Sequence, residues 1–384
     1  MNAMGRDGHR WRMLLGGLLL LALASCRSAP SFSGEAIVFV VGPLSGEQAE
    51  GGQSVAGGVR LRAEEVNRAG GVLGGKRVVV RALNDQADEA LAVEAAQEVA
   101  RGVRDGATVL GVVGHYNSGT TAAALPLYRD LGLVVVTPSA SNPQLSRAGI
   151  KTFFRVCATD ATQGPMAARF LVDQGWRRIA LVHTTNAYGL GLADEFFAGL
   201  QQASGQVVLA LPLPPGERSF AQHLPALRAA NPDAIFFAGD YPDGITFVRE
   251  LRQAGLPTPL LASDGNFVDQ FIDELGALAE GVLISTITPD PRVVAPKEWF
   301  AAFQQLEQRN PGIDATTGYS AMDVLLAGVQ RANSASGAAI AEAIRSLEFT
   351  SLVGRIAYDS NGDLREQRVF FYRVEGGRFR QLAS

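Results

Sequence analysis

The chain has 384 residues, of which 47% are hydrophobic and 19% are charged, and its formal net charge is −4. This composition excludes an intrinsically disordered chain, and the length is sufficient for two lobes that each bury a core. The small negative charge, together with the lack of a basic stripe interleaved with aromatic residues, argues against a nucleic-acid partner.

The N-terminal segment has the pattern of an export signal. Three arginines within the first twelve residues precede an apolar run at 14–24, which is followed by Ser25 and Cys26. Because the run is far shorter than the ~20 residues of a membrane-spanning helix, we interpret residues 1–25 as a signal peptide. The sequence LASC at 23–26 resembles the lipobox of bacterial lipoproteins, which predicts lipidation of Cys26 and a tether at 26–35. An incidental cysteine beside a plain secretory signal is the alternative.

From residue 35 onward, short β-branched runs alternate with amphipathic helical segments, a rhythm that predicts parallel sheets with helical crossovers. The runs read as strands lie at 36–42, 77–83, 107–114, 133–139, 177–183, 206–212, 233–239 and 258–263. The alternation of strands and helices begins again in the second half of the chain. We therefore predict an α/β fold of two Rossmann-like lobes with parallel sheets, joined by a hinge of several strands.

The predicted division of the chain follows from this rhythm. Residues 36–156 form lobe 1, to which 286–353 return, and residues 157–285 form lobe 2, to which 354–384 return. Further strand-like runs near 281–287 and 352–358 mark the places where the chain is expected to cross between lobes.

No pattern in the sequence supports catalysis or metal binding. The glycine-rich stretch at 70–77 fails as a phosphate loop because Arg77 stands where Ser or Thr would bind magnesium. His115, His183 and His223 are scattered without metal-ligand spacing. Cys157 lies among apolar residues without a neighbouring histidine, which favours a buried structural thiol over a nucleophile. We therefore expect neither an enzyme nor a bound metal or cofactor.

Polar, glycine-rich or hydroxyl-rich stretches follow the predicted strands at seven places. Because ligands of open parallel sheets bind at the carboxyl ends of strands, these loops are expected to face one crevice made by both lobes. The stretch VVTPSASNPQL at 135–145 is an example: small side chains leave its backbone N–H groups approachable, so it can hold an anionic group. An ordinary polar connection is the alternative for this segment alone.

Several blocks in this order resemble the branched-chain amino acid binding proteins of bacterial ABC importers, which are type I periplasmic binding proteins. They include GPLSG, GHYNSGTTAAALPLY, GLVVVTPSASNPQL, VHTTNAYGLGLA and FFAGDYPDGITFVRELRQAGL, and the similarity runs from about residue 37 to the C-terminus. The resemblance implies a two-lobed protein that closes on a small ligand, with the transmembrane subunits of an ABC permease as partner. We expect a monomer.

The resemblance also implies which residues bind the ligand. Its carboxylate is expected at Ser118 and at backbone and hydroxyl groups of the loop formed by Ser139, Ala140 and Ser141. These residues come from lobe 1.

From lobe 2, the resemblance implies Tyr188 in the cleft and Asp264 at the ligand amine. An Asp at 264, where the family has Glu, shortens the reach to that amine. The family's tyrosine after the third strand of this lobe, the strand that ends in FFAG, aligns with Asp240, and Tyr241 follows one place later, so both are candidate ligand-binding residues.

Two further departures bear on specificity. The aromatic residue that lies over the ligand side chain in the family is replaced by Gly51. A disulfide that joins two loops in some members is replaced by Ala87 and Asn117. These changes leave the fold and the carboxylate site but put the side-chain preference in question.

The sequence therefore predicts a lipid-anchored, exported solute-binding protein that delivers a branched-chain type amino acid, or a similar small polar molecule, to an ABC permease. The alternative is a lipoprotein of the same fold that regulates another protein, for example a cell-wall synthase. A hydrolase would need a nucleophile and a base that the sequence lacks.

Overall fold

The computed structural model describes residues 32–382. The predicted signal peptide and Cys26 lie outside the described residues. Among the helices of 32–382, none combines the length and apolar character that crossing a membrane requires.

The first sheet is wholly parallel, and its strand order is β2-β1-β3-β4-β5. Its strands are β1 (Gly34–Gly42), β2 (Lys76–Asn84), β3 (Val109–Gly114), β4 (Val135–Thr137) and β5 (Phe153–Arg155). The intervening helices are α1 (Ala49–Arg68), α2 (Glu89–Arg104), α3 (Ser118–Asp130) and α4 (Gln144–Arg147). Residues 36–41 of β1 are apolar on both faces and at most 4% exposed, because a core of packed side chains lies on each side of the sheet.

The second sheet repeats this topology, with the parallel order β7-β6-β8-β9-β10. Its strands are β6 (Arg178–Thr184), β7 (Gln206–Leu213), β8 (Ala234–Ala238), β9 (Leu260–Ala262) and β10 (Leu283–Thr286). The helices are α5 (Asp160–Asp173), α6 (Ala187–Gln202), α7 (Leu224–Ala230), α8 (Tyr241–Gln253) and α9 (Asp269–Leu275). In both sheets the strand order reverses between the first and third strands, and such a switch point opens a crevice for ligand.

After β10 the chain returns to the first lobe. This segment contains α10 (Pro291–Val294), α11 (Lys297–Glu307), α12 (Ala315–Ala332), α13 (Gly337–Ser346), β11 (Phe349–Ser351) and β12 (Gly354–Ile356). Helix α12 packs against α1 and β3, and its apolar residues join the first lobe's core.

Residues 356–364 also pack in the first lobe, although the sequence pattern assigns 354–384 to the second. Ile356, Tyr358 and Leu364 belong to the first lobe's core, and the Tyr358 ring meets Phe154 edge-on at 5.0 Å between centroids. The physical reason is the short β11–β12 hairpin, which turns the chain back over this core before it leaves.

The chain finally re-enters the second sheet, where β13 (Phe370–Val374) and β14 (Phe379–Gln381) add antiparallel at the β10 edge. The connections between the sheets lie side by side. Gln367 Oε1 accepts hydrogen bonds from the Thr159 backbone at 2.8 Å and from the Thr162 hydroxyl at 2.8 Å. Cys157 is buried among these connections, as predicted for a structural thiol.

A fully buried arginine at the end of β5 shapes the loop that follows β4. Arg155 donates to Asp363 Oδ1 at 2.6 Å and to the Ala140 carbonyl at 2.7 Å. It also donates to the Asn142 carbonyl at 3.2 Å. Because a buried guanidinium must be paired and hydrogen-bonded, these contacts fix the loop against the C-terminal part of the chain.

We predict that Asp363→Ala lowers the free energy of unfolding by about 3 kcal/mol, because it leaves the Arg155 charge buried and unpaired. Urea denaturation monitored by circular dichroism measures this change. The control is Glu366→Ala, which removes an exposed partner of Arg355 and should cost less than about 1 kcal/mol. Equal losses in the two variants would contradict the assigned role of the buried pair.

Candidate functional site

A cavity of about 530 Å³, including its open mouth, lies between the two lobes. It is lined by residues of both: Tyr116, Asn117, Ser118, Ser139, Tyr188, Asp240, Asp264, Gly265, Phe267, Thr286, Ile287, Thr288, Ile313 and Asp314. A second, outer cavity shares Asn117, Tyr188 and Asp240 with it and reaches the loops that follow β1 and β2. The strand-end loops therefore meet in one crevice.

The first lobe contributes hydroxyl groups and a helix N-terminus. Ser118 is the first residue of α3, and its Oγ accepts the Asn142 N–H at 3.2 Å. No side chain caps this helix, because Asn117 at the N-cap makes no capping hydrogen bond. Ser139 donates from Oγ to the Tyr116 carbonyl at 2.8 Å. Free N–H groups and the positive end of the helix dipole make this wall suitable for an anion.

Ala140 and Ser141 lie behind this wall and do not line the cavity. The Ala140 N–H donates to Thr137 Oγ1 at 3.0 Å, so it already has a partner. Ser141 is buried, and its hydroxyl lies beside the Asp160 carboxylate, where it lowers the pKa of that carboxyl. The Ser141 hydroxyl therefore serves a buried neighbour and not the cavity.

The second lobe contributes an acidic wall. Asp264 follows β9 and accepts the Tyr188 hydroxyl at 2.5 Å, and the same Tyr188 oxygen accepts the Gly265 N–H at 3.3 Å. Burial raises the pKa of Asp264 to about 6, and the hydrogen bond from Tyr188 opposes that rise. A carboxylate held this way retains oxygen lone pairs for a donor in the cavity.

Asp240 lines the cavity, whereas Tyr241 connects the lobes. Asp240 stands at the N-cap position of α8 without a side-chain capping bond. It accepts a hydrogen bond from Asn186 Nδ2 at 3.4 Å, and burial raises its pKa to about 7. Tyr241 is buried in the second lobe's core and donates from its hydroxyl to the Glu47 carbonyl of the first lobe at 2.5 Å. The two lobes therefore touch beside the cavity.

The sequence interpretation missed Tyr116 and Asp314. The Tyr116 hydroxyl donates to Asp314 Oδ2 at 2.9 Å, and both residues line the cavity. Tyr116 stands two positions before Ser118 in the same block, so its place after β3 could have indicated it. Asp314 precedes helix α12 of the returning segment. It does not follow a strand, so the strand-end pattern gives no signal for it.

Asp160 is a further acidic group that the sequence did not single out. It is fully buried and does not line the cavity. Its N–H donates to the Ser141 carbonyl at 3.1 Å, and the Ser141 hydroxyl beside its carboxylate lowers the pKa of that group. Burial, with the nearby Asp264 charge, raises the pKa of Asp160 to about 8. The region around the cavity is thus rich in carboxyl groups, and no Lys, Arg or His is among the residues that line it. No cluster of three metal-binding side chains occurs in the part of the chain that the structure describes.

Comparisons with known proteins bear on this site. Residues 38–378 match the family described as periplasmic binding protein. The Leu/Ile/Val-binding protein of Citrobacter freundii is 31% identical over 368 residues, which cover 95% of this chain and 97% of that protein. An amino acid binding protein of Pseudomonas aeruginosa is 29% identical, with 95% and 98% covered. The crystal structure of a leucine binding protein from Thermotoga maritima has a TM-score of 0.83 and 29% identity, and covers 91% of this chain and 98% of that one.

These matches confirm the predicted fold class and the resemblance to binding proteins of the branched-chain amino acid type. They also confirm the expectation of a binding protein rather than an enzyme, because the matched family consists of transport substrate-binding proteins. The alternative of a regulatory lipoprotein gains no support from them. The roles assigned to individual cleft residues stay predictions.

We predict that Asp160 makes the ligand-free protein less stable as pH rises. Its pKa is about 8 in the folded state and near 3.8 when unfolded, so the folded state holds the proton longer and stability is lost between about pH 4 and 8. Asp160→Asn should be more stable than wild type at pH 8 by about 1 kcal/mol or more and should differ less at pH 5, as measured by urea denaturation.

Asp233→Asn is the control with the opposite sign. N–H groups of Arg178 and Arg177 lower the pKa of Asp233, so its ionised form stabilises the fold and the variant should be less stable than wild type at pH 8. If Asp160→Asn leaves the difference between pH 5 and pH 8 unchanged, Asp160 does not carry the raised pKa.

Proposed function

Because this chain belongs to the periplasmic binding protein family, we propose that it is an exported solute-binding lipoprotein that captures an amino acid between its lobes and delivers it to an ABC permease. The relatives named above are described as binding leucine, isoleucine and valine or amino acids in general. The proposal places Ser118 and Ser139 at the ligand carboxylate and Asp264 at its amine.

The observation that carries this proposal is the opposite chemistry of the two cavity walls. The first lobe offers the uncapped N-terminus of α3 with the hydroxyl groups of Ser118 and Ser139. The second lobe offers the Asp264 carboxylate, supported by Tyr188. A zwitterion fits this arrangement, since its carboxylate and its ammonium each meet a wall of opposite polarity.

The energetics are reasonable for such a ligand. An ion buried without partners loses several kcal/mol of solvation, so the walls must replace the lost water. Charge-assisted hydrogen bonds contribute about 1.5 to 3 kcal/mol each. Four or five of them are enough for the roughly −8 kcal/mol of micromolar binding after ordering costs are subtracted.

Ligand binding is coupled to lobe closure because the partners come from both lobes. A ligand that contacts both walls binds the closed form best and therefore shifts the population toward it. Closed-state contacts are already visible beside the cavity: Asn142 Nδ2 of the first lobe donates to the Ala187 carbonyl of the second at 2.6 Å, and Tyr241 donates to Glu47. The closed form is the one that a permease would recognise.

Asp264→Asn tests the assignment of the amine site. The variant keeps the size of the side chain but removes its charge, so the binding free energy should weaken by about 2 kcal/mol or more while the melting temperature without ligand does not fall. Isothermal titration calorimetry measures the affinity, with whichever of the twenty amino acids binds the wild type most tightly as the ligand.

Asp243→Asn is the matched control. Asp243 is buried in the same lobe and accepts the Gly216 N–H at 3.0 Å, but it does not line the inner cavity. It should leave affinity nearly unchanged. Loss of stability without loss of affinity in Asp264→Asn would make Asp264 a structural residue and would remove the amine from the proposal.

Cys26→Ala tests the lipid anchor. In this proposal the lipid on Cys26 attaches the protein to the membrane. The variant should therefore move from the membrane fraction to the soluble extracytoplasmic fraction. Immunoblotting after cell fractionation measures this change. Ser25 and the apolar run stay intact, which preserves the export signal. A variant that remains as firmly membrane-bound as the wild type would refute lipidation at this position.

A further inference from the structure

One wall of the cavity is formed by Tyr116, which follows β3. A Cβ at Gly51 would come within 2.5 Å of the Tyr116 hydroxyl. The Tyr116 ring thus occupies the space over the first turn of α1, which the absence of a side chain at Gly51 leaves open. The cavity wall therefore presents a phenol hydroxyl and its hydrogen-bond partner.

That partner is a carboxylate. Tyr116 donates to Asp314 Oδ2 at 2.9 Å, which holds the Asp314 carboxylate in place and leaves its other oxygen without a recorded donor among the described residues. Asp314 makes no capping hydrogen bond to α12, so the helix does not account for the carboxylate. Burial raises the pKa of Asp314 to about 7, and Glu50 and Asp264 add to the rise, so a positive or donating group nearby would stabilise its ionised form.

The cavity also has apolar lining. Phe267, Ile287 and Ile313 line it, and none of the three offers a polar side-chain atom. Methylene groups can pack on these residues while a terminal group reaches a polar partner. A cavity that combines apolar lining with a fixed carboxylate suits a stem with a donor at its tip.

The charges of the cavity support the same conclusion. Asp240, Asp264 and Asp314 line it, and no cationic side chain does. One ligand ammonium meets Asp264, which leaves the other two carboxylates without a positive partner. A branched alkyl side chain would bury them further without offering any hydrogen bond.

We propose that the cleft selects amino acids whose side chain is an aliphatic stem ending in a nitrogen hydrogen-bond donor, with Asp314, positioned by Tyr116, as the acceptor. This inference rests on the proposed amino acid-binding function and specifies its substrate class. Leucine, isoleucine and valine would then be poor ligands, although relatives of this chain are described as binding them.

The experiment is calorimetry of the folded exported domain with leucine, isoleucine, glutamine, citrulline, ornithine, lysine and arginine. At least one of the nitrogen-bearing amino acids should bind about tenfold or more tightly than leucine. Asp314→Asn should weaken that ligand about tenfold and change leucine affinity less than about threefold, whereas the control Asp243→Asn should change neither.

Tyr116→Phe provides a second variant in case Asp314→Asn does not fold. It keeps the ring and removes only the hydroxyl that positions Asp314, so it should reduce the preference for the nitrogen-bearing ligand over leucine, with an unchanged melting temperature without ligand. Tightest binding of leucine or isoleucine by the wild type would overturn this inference and leave amino acid binding intact. A preference that survives both substitutions would overturn the role of Asp314, and binding of no amino acid would overturn the proposed function itself.

Discussion

The cleft depends on one topological constraint, namely that both sheets use the same strand order and present the carboxyl ends of their strands to the same gap. In each lobe the order reverses between the first and third parallel strands, which separates the loops that follow them. Polar residues can occupy the cavity-facing positions of these loops without disturbing the apolar strands, because these positions face the gap between the lobes. The residues that determine the chemistry of the site therefore occupy positions that the fold does not require to be apolar.

This constraint explains which parts of the site were predictable from the sequence. Ser118, Tyr188 and Asp264 follow apolar strands directly, so strand-end reasoning and the resemblance both indicate them, and all three line the cavity. Ala140 follows a strand as well, but its N–H is taken by Thr137, a contact that no pattern of residue types specifies. Asp314 could not be found in this way because it precedes a helix of the returning segment. The same difficulty affects residues 354–364, since a short hairpin does not reveal which core its apolar side chains will join.

Electrostatics distinguish this cleft from a simple apolar pocket. Burial raises the pKa values of Asp240, Asp264 and Asp314, and also that of the neighbouring Asp160. Each of these groups makes the empty closed form less favourable when ionised. Under the proposed function, a bound ammonium offsets part of that cost, so the carboxylates that destabilise the empty cleft favour its closure around a ligand. In this proposal the carboxylates lower the stability of the empty protein and raise its affinity for ligand, a compromise that is common at functional sites.

The buried pair of Arg155 and Asp363 also has a consequence for the order in which the molecule is assembled. The two residues are 208 positions apart in the chain, and Arg155 holds the backbone carbonyls of the loop that carries Ser139. That loop reaches its final form only after a long-range closure that brings Asp363 to Arg155. A chain whose synthesis has stopped before residue 363 can form much of both sheets, yet it lacks the acceptor that neutralises Arg155. The wall of the cavity that contains Ser139 is therefore completed only after residue 363 has joined the fold.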